Sequence, residues 1–237
     1  MIGNCALYDI EENLKESHIF PKFAINYAKK TGSNFFRRLI EPDKRMQDGI
    51  KLNLLSEKAE QKFSKREKWF AENIFVPYLS GAKELQYDEN LYYFVVSFLW
   101  RITILKLKRD KILSEKWYYD IITEAQNEWK YFLKNGTKIK KYDTFCIQLT
   151  DRVKDNKSDL KGVDFYLTRA FDATLVDNES QTALMIYGKF NRFIFWAVLK
   201  KYGDEYKLSD SIINKDRGKI KIPQILDYFP ICSFLYN

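Results

Sequence analysis

The sequence predicts an α+β fold in which a small ββα module packs on a mostly helical body that has a few C-terminal strands. Of the 237 residues, 46% are hydrophobic, which supplies enough apolar surface for a buried core and excludes a disordered chain. A short strand signal at residues 50–55 runs directly into Ser56, whose hydroxyl suits a helix N-cap. Apolar residues between positions 91 and 102 recur at helical spacing, which indicates a helix with a broad buried face.

The N-terminal part of the chain, 1–80, alternates short elements with turns. Pro21 disfavours the helical conformation for Phe20, so residues 15–23 are predicted to be extended or turning. A short helix over 23–30 and an aromatic, basic strand over 34–39 follow. The helix that begins at Ser56 is expected to run to about residue 75 and to end at Pro77.

The remaining residues predict mainly helices. The predicted elements are a helix that Asp88 or Asn90 caps and that extends through Ile102, helices over 114–133 and 182–201, a strand or helix over 143–153, a strand pair over 164–176, and short strands or loops in the tail. A domain boundary between residues 1–80 and 81–237 is expected near 70–88, unless the two parts form one continuous domain.

Positive charge is concentrated in one segment. The chain has a net charge of +8, and residues 15–68 contribute +7 of it, with 14 Lys and Arg against seven acids. Such a surface favours nucleic acid, although a solvated helix face or a protein partner would also account for it. The predicted nucleic-acid contacts are Lys22, Arg37, Arg38, Lys44, Arg45, Lys62 and Arg66.

Several protein classes are disfavoured by the sequence. Three widely spaced cysteines do not make a disulfide framework and fit a reducing, cytoplasmic location. No apolar run reaches the length of a membrane span, and no secretory leader is recognisable, so no membrane partner is expected. The chain has no phosphate-binding glycine loop, and its single histidine rules out motifs that need two.

A set of short motifs occurs in a characteristic order. The motifs are Ser17–Phe23 (Ser-His-Ile-Phe-Pro-Lys-Phe), Arg45–Gly49 (Arg-Met-Gln-Asp-Gly), Leu54–Glu60, Phe63–Ser64, Trp69–Ala71, Tyr87–Glu89 and Trp100–Arg101. In this order they resemble a bacterial family of HNH-endonuclease-like proteins, over the part of the chain from position 1 to about position 105. The resemblance implies a treble-clef-like module, in which a knuckle, two strands and a helix surround a zinc ion.

The resemblance also implies that the zinc site has degenerated. The four zinc cysteines of the family fall on Cys5, Tyr8, Ser56 and Ala59, and only Cys5 is retained. One thiolate cannot complete the four-coordinate site of a structural zinc. The expected module is therefore zinc-free and held by packing, with the Tyr8 ring filling part of the vacated space.

The catalytic residues implied by the resemblance are His18, Asn53 and Glu60. His18 would act as the general base, Asn53 would orient the loop, and Glu60 would bind Mg²⁺ or Mn²⁺ if the protein is catalytic. Each residue also has an ordinary structural interpretation. His18 would hydrogen-bond a turn, Asn53 would be a polar group at a strand end, and Glu60 would be a solvated carboxylate in the first turn of its helix.

Two functions follow. The first is a degenerate HNH-like protein that binds nucleic acid or acts as a scaffold, for example in a bacterial defence system, without robust catalysis. The alternative is a metal-dependent HNH-type nuclease that hydrolyses DNA or RNA phosphodiesters with His18 as the base. Because three of the four zinc ligands are absent, the sequence favours the first.

Overall fold

Helices and antiparallel strands alternate along the chain in the structure, a computed structural model that describes residues 1–32, 36–38, 41–46, 48–151, 161–201, 209–220 and 222. The helices are α1 (Lys22–Lys30), α2 (Glu57–Phe70), α3 (Val76–Leu79), α4 (Glu89–Arg109), α5 (Tyr119–Asn135) and α6 (Lys161–Arg169). The strands are β1 (Ile2–Asn4), β2 (Glu11–His18), β3 (Phe36–Arg38), β4 (Glu41–Met46), β5 (Lys51–Ser56), β6 (Leu85–Asp88), β7 (Thr144–Leu149), β8 (Phe171–Asp177), β9 (Leu184–Phe190), β10 (Phe193–Lys200) and β11 (Arg217–Ile220).

The N-terminal residues form a three-stranded antiparallel sheet with the order β1-β2-β5. The register of β2 against β5 places His18 opposite Lys51 and Glu16 opposite Asn53. It shifts at an irregularity between Lys15 and Glu16. The expected extended conformation before Pro21 is confirmed, because β2 ends at His18 and α1 begins at Lys22. The predicted strand before Ser56 is present as β5.

Helix α2 begins as predicted, but it does not end as predicted. The Ser56 hydroxyl accepts a hydrogen bond from the Ala59 amide at 3.4 Å, which satisfies one of the free amides of the first turn. The prediction that Pro77 ends the helix is wrong. The chain continues through a π-helical segment, Ala71–Phe75, into α3, where Pro77 occupies the first turn and needs no amide partner.

Helix α4 is the centre of the molecule. Every residue from Leu91 to Leu105 is buried, so the helix is covered on all sides rather than on one face. The Phe94 ring stacks on Phe70 of α2 with 4.1 Å between ring centroids. It also approaches Phe195 of β10 at 6.0 Å. Helix α4 therefore joins the N-terminal residues to the C-terminal sheet.

The C-terminal half contains more strand than the sequence predicted. A four-stranded antiparallel sheet with the order β7-β10-β9-β8 packs against α4, so the expected mostly helical body is a mixed α/β body. The predicted helix over 182–201 is wrong, because these residues form the β9–β10 hairpin. The predicted strand pair over 164–176 is half right, since α6 occupies its first part and β8 its second.

One apolar core runs through both predicted parts of the chain. Its buried members include Cys5 and Phe63 from the part before position 81 and Phe145 and Phe195 from the remainder. The proposed boundary near residues 70–88 falls within the packed segment from α2 to α4 and stays a prediction. Among the described residues, no helix has the length and hydropathy that crossing a bilayer requires.

Candidate functional site

The sole histidine belongs to a small charged cluster at the end of the N-terminal sheet. His18 closes β2, and its Nε2 lies 3.3 Å from both carboxylate oxygens of Asp48, which precedes β5. Lys51 Nζ approaches the same carboxylate at 2.8 Å and Glu16 at 3.6 Å. The antiparallel register explains the cluster, since it sets His18 directly across from Lys51.

Asp48 is held in its ionised form. Partial burial raises the pKa of its carboxyl, but hydrogen bonds from Lys51, from the Gly49 amide and from His18 outweigh that effect and hold the pKa well below its usual range. An ionised carboxylate only accepts hydrogen bonds, so the Nε2 atom of His18 carries the proton that is shared with Asp48. In the described part of the chain no group hydrogen-bonds Nδ1.

The backbone of His18 is fixed by a buried ion pair. Arg101 of α4 donates from Nη1 to the His18 carbonyl at 2.8 Å and from Nη2 to Glu67 of α2 at 2.6 Å. The Arg101 side chain is only 3% exposed. Two helices and strand β2 therefore meet at one guanidinium, and the position of His18 depends on all three.

Asn53 and Glu60 do not join His18 through any contact among the described residues. Asn53 is exposed on β5, and its amide lies 3.7 Å from the sulfur of Met1. Glu60 is half-buried in the first turns of α2, and its Oε1 atom is buried without a hydrogen-bond partner in the described chain. The geometry places Asn53 on β5 and Glu60 near the start of α2, and neither residue hydrogen-bonds His18 among the described residues.

The four positions that the resemblance would assign to zinc ligands, Cys5, Tyr8, Ser56 and Ala59, belong to the N-terminal turn and the start of α2. The buried Cys5 sulfur accepts from the Ser56 amide at 3.3 Å and lies 3.5 Å from the Ser56 hydroxyl, which in turn caps Ala59. Tyr8 is half-buried, and Lys58 Nζ lies 5.3 Å from the centre of its ring. Hydrogen bonds and packing therefore join the N-terminal turn to the start of α2.

The thiol of Cys5 sits among hydrogen-bond donors. Burial raises its pKa, but hydrogen bonds from the Ser56 side chain and from the backbone of Ser56, Tyr8 and Leu7 reverse the effect, so the pKa lies below the ordinary value. Among the described residues, no three His, Cys, Asp or Glu side chains lie close enough together to hold a metal ion. The side chains at this turn do not fit a structural zinc, and those around His18 and Glu60 do not assemble a Mg²⁺ or Mn²⁺ site.

The predicted nucleic-acid contacts separate into two groups, of which the first lies outside α2. Lys22 and Arg45 are exposed, at the first residue of α1 and on β4. Arg37, Arg38 and Lys44 belong to the β3–β4 hairpin by their backbone, and their side chains lie outside the described residues.

The second group consists of two basic residues of α2, which have structural partners. Lys62 Nζ donates to the carbonyls of Leu133 at 2.6 Å and Lys134 at 3.0 Å, at the C-terminal end of α5. Arg66 hydrogen-bonds Asn90, and its guanidinium lies 5.2 Å from the centre of the Tyr93 ring. Both side chains therefore help to hold α2 against α4 and α5.

Asp48, like Lys51 and Glu16, is a member of the cluster that sequence reasoning missed. Asp48 lies 30 residues from His18 in the sequence. Its pairing depends on the β2–β5 register, which brings together residues that are distant in the sequence. Comparisons with protein-family models, with curated proteins and with solved structures each find no match to this chain.

Proposed function

We propose that this chain binds nucleic acid through the basic surface of its N-terminal part, 1–70, on a treble-clef-like, HNH-related module that has lost its zinc. The observation that carries the proposal is the concentration of positive charge, since residues 15–68 hold +7 of the net +8. A phosphate backbone is the partner that such a charge density attracts most strongly. An acidic protein partner is the competing interpretation of the same charge.

The β3–β4 hairpin supports a phosphate-binding surface. Its antiparallel register sets Arg37 directly opposite Arg45. Arg45 is exposed on β4, where the phosphate groups of a nucleic acid can reach it. Lys22, exposed at the start of α1, adds a further cation outside the hairpin.

The salt dependence of binding tests the proposal. We expect fluorescence anisotropy with short duplex DNA and single-stranded RNA to show affinity falling steeply between about 50 and 200 mM salt. Charge reversal of both exposed residues, Lys22→Glu with Arg45→Glu, should weaken binding and reduce the slope of log affinity against log salt by about two.

A matched double variant controls for net charge. Lys83 and Lys116 are exposed and lie outside the basic segment, so Lys83→Glu with Lys116→Glu changes the net charge equally. This control should keep most of the affinity. Equal losses in both double variants, or no salt-dependent binding of either nucleic acid, would reject the proposal.

The His18–Asp48 pair favours a second candidate function, hydrolysis of a phosphodiester. Asp48 holds the proton of the neutral imidazole on Nε2 and stabilises the charge that forms when the ring is protonated. Nδ1 would then take a proton from an attacking water as its oxygen bonds to phosphorus and the ester oxygen leaves. The contact from Arg101 to the His18 carbonyl supplies the rigid support that such a base needs.

Cleavage assays separate the two functions. Plasmid and single-stranded substrates would be incubated with Mg²⁺ or Mn²⁺, and the His18→Ala variant should abolish any cleavage. Asp48→Asn should lower the rate by about 10²- to 10⁴-fold, because a neutral amide no longer stabilises the positive charge that forms on the ring. The surface variant Lys15→Gln should cleave at the rate of the unmodified protein. Cleavage that survives in His18→Ala would reject this role for the histidine.

A further inference from the structure

A cleft of about 670 Å³ opens beside the His18 cluster, next to the residues that follow β2. Phe20 and Ile50 form one wall, the last turn of α4 forms a second, and the first residues of β8 form a third. Cavities of this size accommodate small organic ligands. Among the side chains that the structure describes, none of those predicted to bind nucleic acid or to catalyse hydrolysis lines the cleft.

The floor of the cleft is apolar and aromatic. Phe20 and Phe171 meet edge to face, with 5.4 Å between ring centroids. Leu105 and Ile50 continue this surface, and the side chain of Ile112 at the rim is an exposed apolar group. A flat ring system could pack here against aromatic and branched side chains.

Three cationic side chains also line the cleft. Lys106, Arg109 and Lys111 border the cleft, and none of these side chains has a hydrogen-bonding or ion-pair partner within the described chain. Lys106 is half-buried, and this burial lowers its pKa although Asp172 and Asp110 act in the other direction. A half-buried ammonium without a paired anion is costly, and a bound anion would remove that cost.

Two acids, Asp172 and Asp110, also line the cleft and offset part of the positive charge of its three cationic side chains, but neither forms an ion pair with Lys106 among the described residues. Asp172 accepts hydrogen bonds from the Tyr166 hydroxyl and from the Ala173 amide, both at 2.8 Å. Asp110 accepts from the Ile112 amide at 3.2 Å. Both carboxylates are thus engaged locally, and Lys106 borders the cleft without a direct ionic partner in the described chain.

We propose that this cleft binds a mononucleotide, with the base packed on the Phe20–Phe171 floor and the phosphate bound by Lys106 and Arg109. The ligand has the two properties that the cleft presents together, a flat ring and a compact anion. The nucleotide is either free or the phosphorylated end of a strand. This inference is independent of the proposed nucleic-acid surface, which uses other residues.

Isothermal titration of the full chain tests the site. We expect at least one of AMP, GMP, CMP and UMP to bind, and the corresponding nucleoside and inorganic phosphate each to bind about tenfold more weakly or not at all. Lys106→Met keeps the length of the side chain and removes its charge, and it should weaken nucleotide binding by about tenfold or more. Lys108→Met is the matched control, because Lys108 is exposed in the same turn of α4 but does not line the cleft.

A second variant tests the same site in case Lys106→Met does not fold. If Lys106→Met does not fold, Arg109→Gln at an exposed position replaces it and should weaken binding in the same way. A 5′-phosphorylated dinucleotide identifies the source, since tighter binding than the mononucleotide indicates a strand end and weaker binding indicates a free nucleotide. Absence of binding by all four mononucleotides, or equal binding by the Lys106→Met and Lys108→Met variants, would overturn the proposal.

Discussion

At the scale of single residues, the histidine is positioned by groups that come from distant parts of the chain. Asp48 contacts its ring, and Arg101 contacts its carbonyl. Neither contact follows from the sequence near residue 18. The motif resemblance made the histidine a candidate, whereas its partners required the strand register and the position of α4.

Asp48 should make stability depend on acid pH. Its folded pKa lies below the unfolded value, so its contribution is fully present above about pH 4 and is lost as the pH falls through the lower folded value. In urea denaturation, Asp48→Asn should be less stable than the unmodified protein at neutral pH, and the difference should shrink as the pH is lowered.

The exposed residue Glu179 provides the control for this titration. Glu179→Gln removes one carboxylate at a site with no described partner, so its stability difference from the unmodified protein should stay small at every pH. If the stability difference between Asp48→Asn and the unmodified protein is constant across this pH range, the pH dependence of stability does not come from Asp48.

At the scale of secondary-structure elements, helix ends are held by side chains from other elements. The clearest case is Lys62, whose ammonium is occupied by two carbonyls at the end of α5, just before Gly136 turns the chain with φ of 74°. A residue predicted from charge to contact nucleic acid is therefore also a tertiary cap.

Removing this cap should destabilise the protein. We expect Lys62→Met to lower the free energy of unfolding by about 1 kcal/mol, because two carbonyls lose a charged donor while the apolar stem is retained. Urea denaturation measures the change. Lys65→Met, at an exposed position one turn along α2, should change stability by less than about 0.5 kcal/mol, and an equal loss there would argue against capping.

Some elements could be predicted from the sequence, and others could not, for physical reasons. The start of α2 was predictable because the Ser56 cap is a local interaction. The β9–β10 hairpin was not predictable from the sequence. All of β9 and most of β10 are buried, and such continuous apolar runs have the same pattern as a buried helix. The missed signal was Asn191, which adopts a positive φ of 49° in the turn between Phe190 and Phe193.

At the scale of the whole molecule, the buried ion pair between Arg101 and Glu67 joins the N-terminal sheet to the central helix. The Arg101 and Glu67 side chains are 3% and 18% exposed, so water screens the pair only weakly. The same guanidinium also satisfies the His18 carbonyl. The local sequence predicts neither the pairing nor its burial, because the two residues meet only when α2 packs on α4.

Breaking this pair from one side should be costly. We expect Arg101→Met to lower the free energy of unfolding by about 3–5 kcal/mol, because Glu67 is left buried without its partner. The double variant with Glu67→Gln should recover part of the loss, since no unpaired charge remains. A double-mutant cycle by urea denaturation measures the coupling, and strictly additive losses would contradict a direct interaction.

The contact between Cys5 and Ser56 has a consequence for the order of folding. It joins residues that are 51 positions apart, so the chain must close a long loop before this contact forms. Pairing of β2 with β5 brings Leu14 opposite Ser56. The loop that must still close to join Cys5 to Ser56 is then only the short segment between Leu14 and Cys5. We therefore expect the N-terminal turn to pack against α2 only after β2 and β5 have paired. Formation of the correct β2–β5 register would then determine how the N-terminal part of the chain folds.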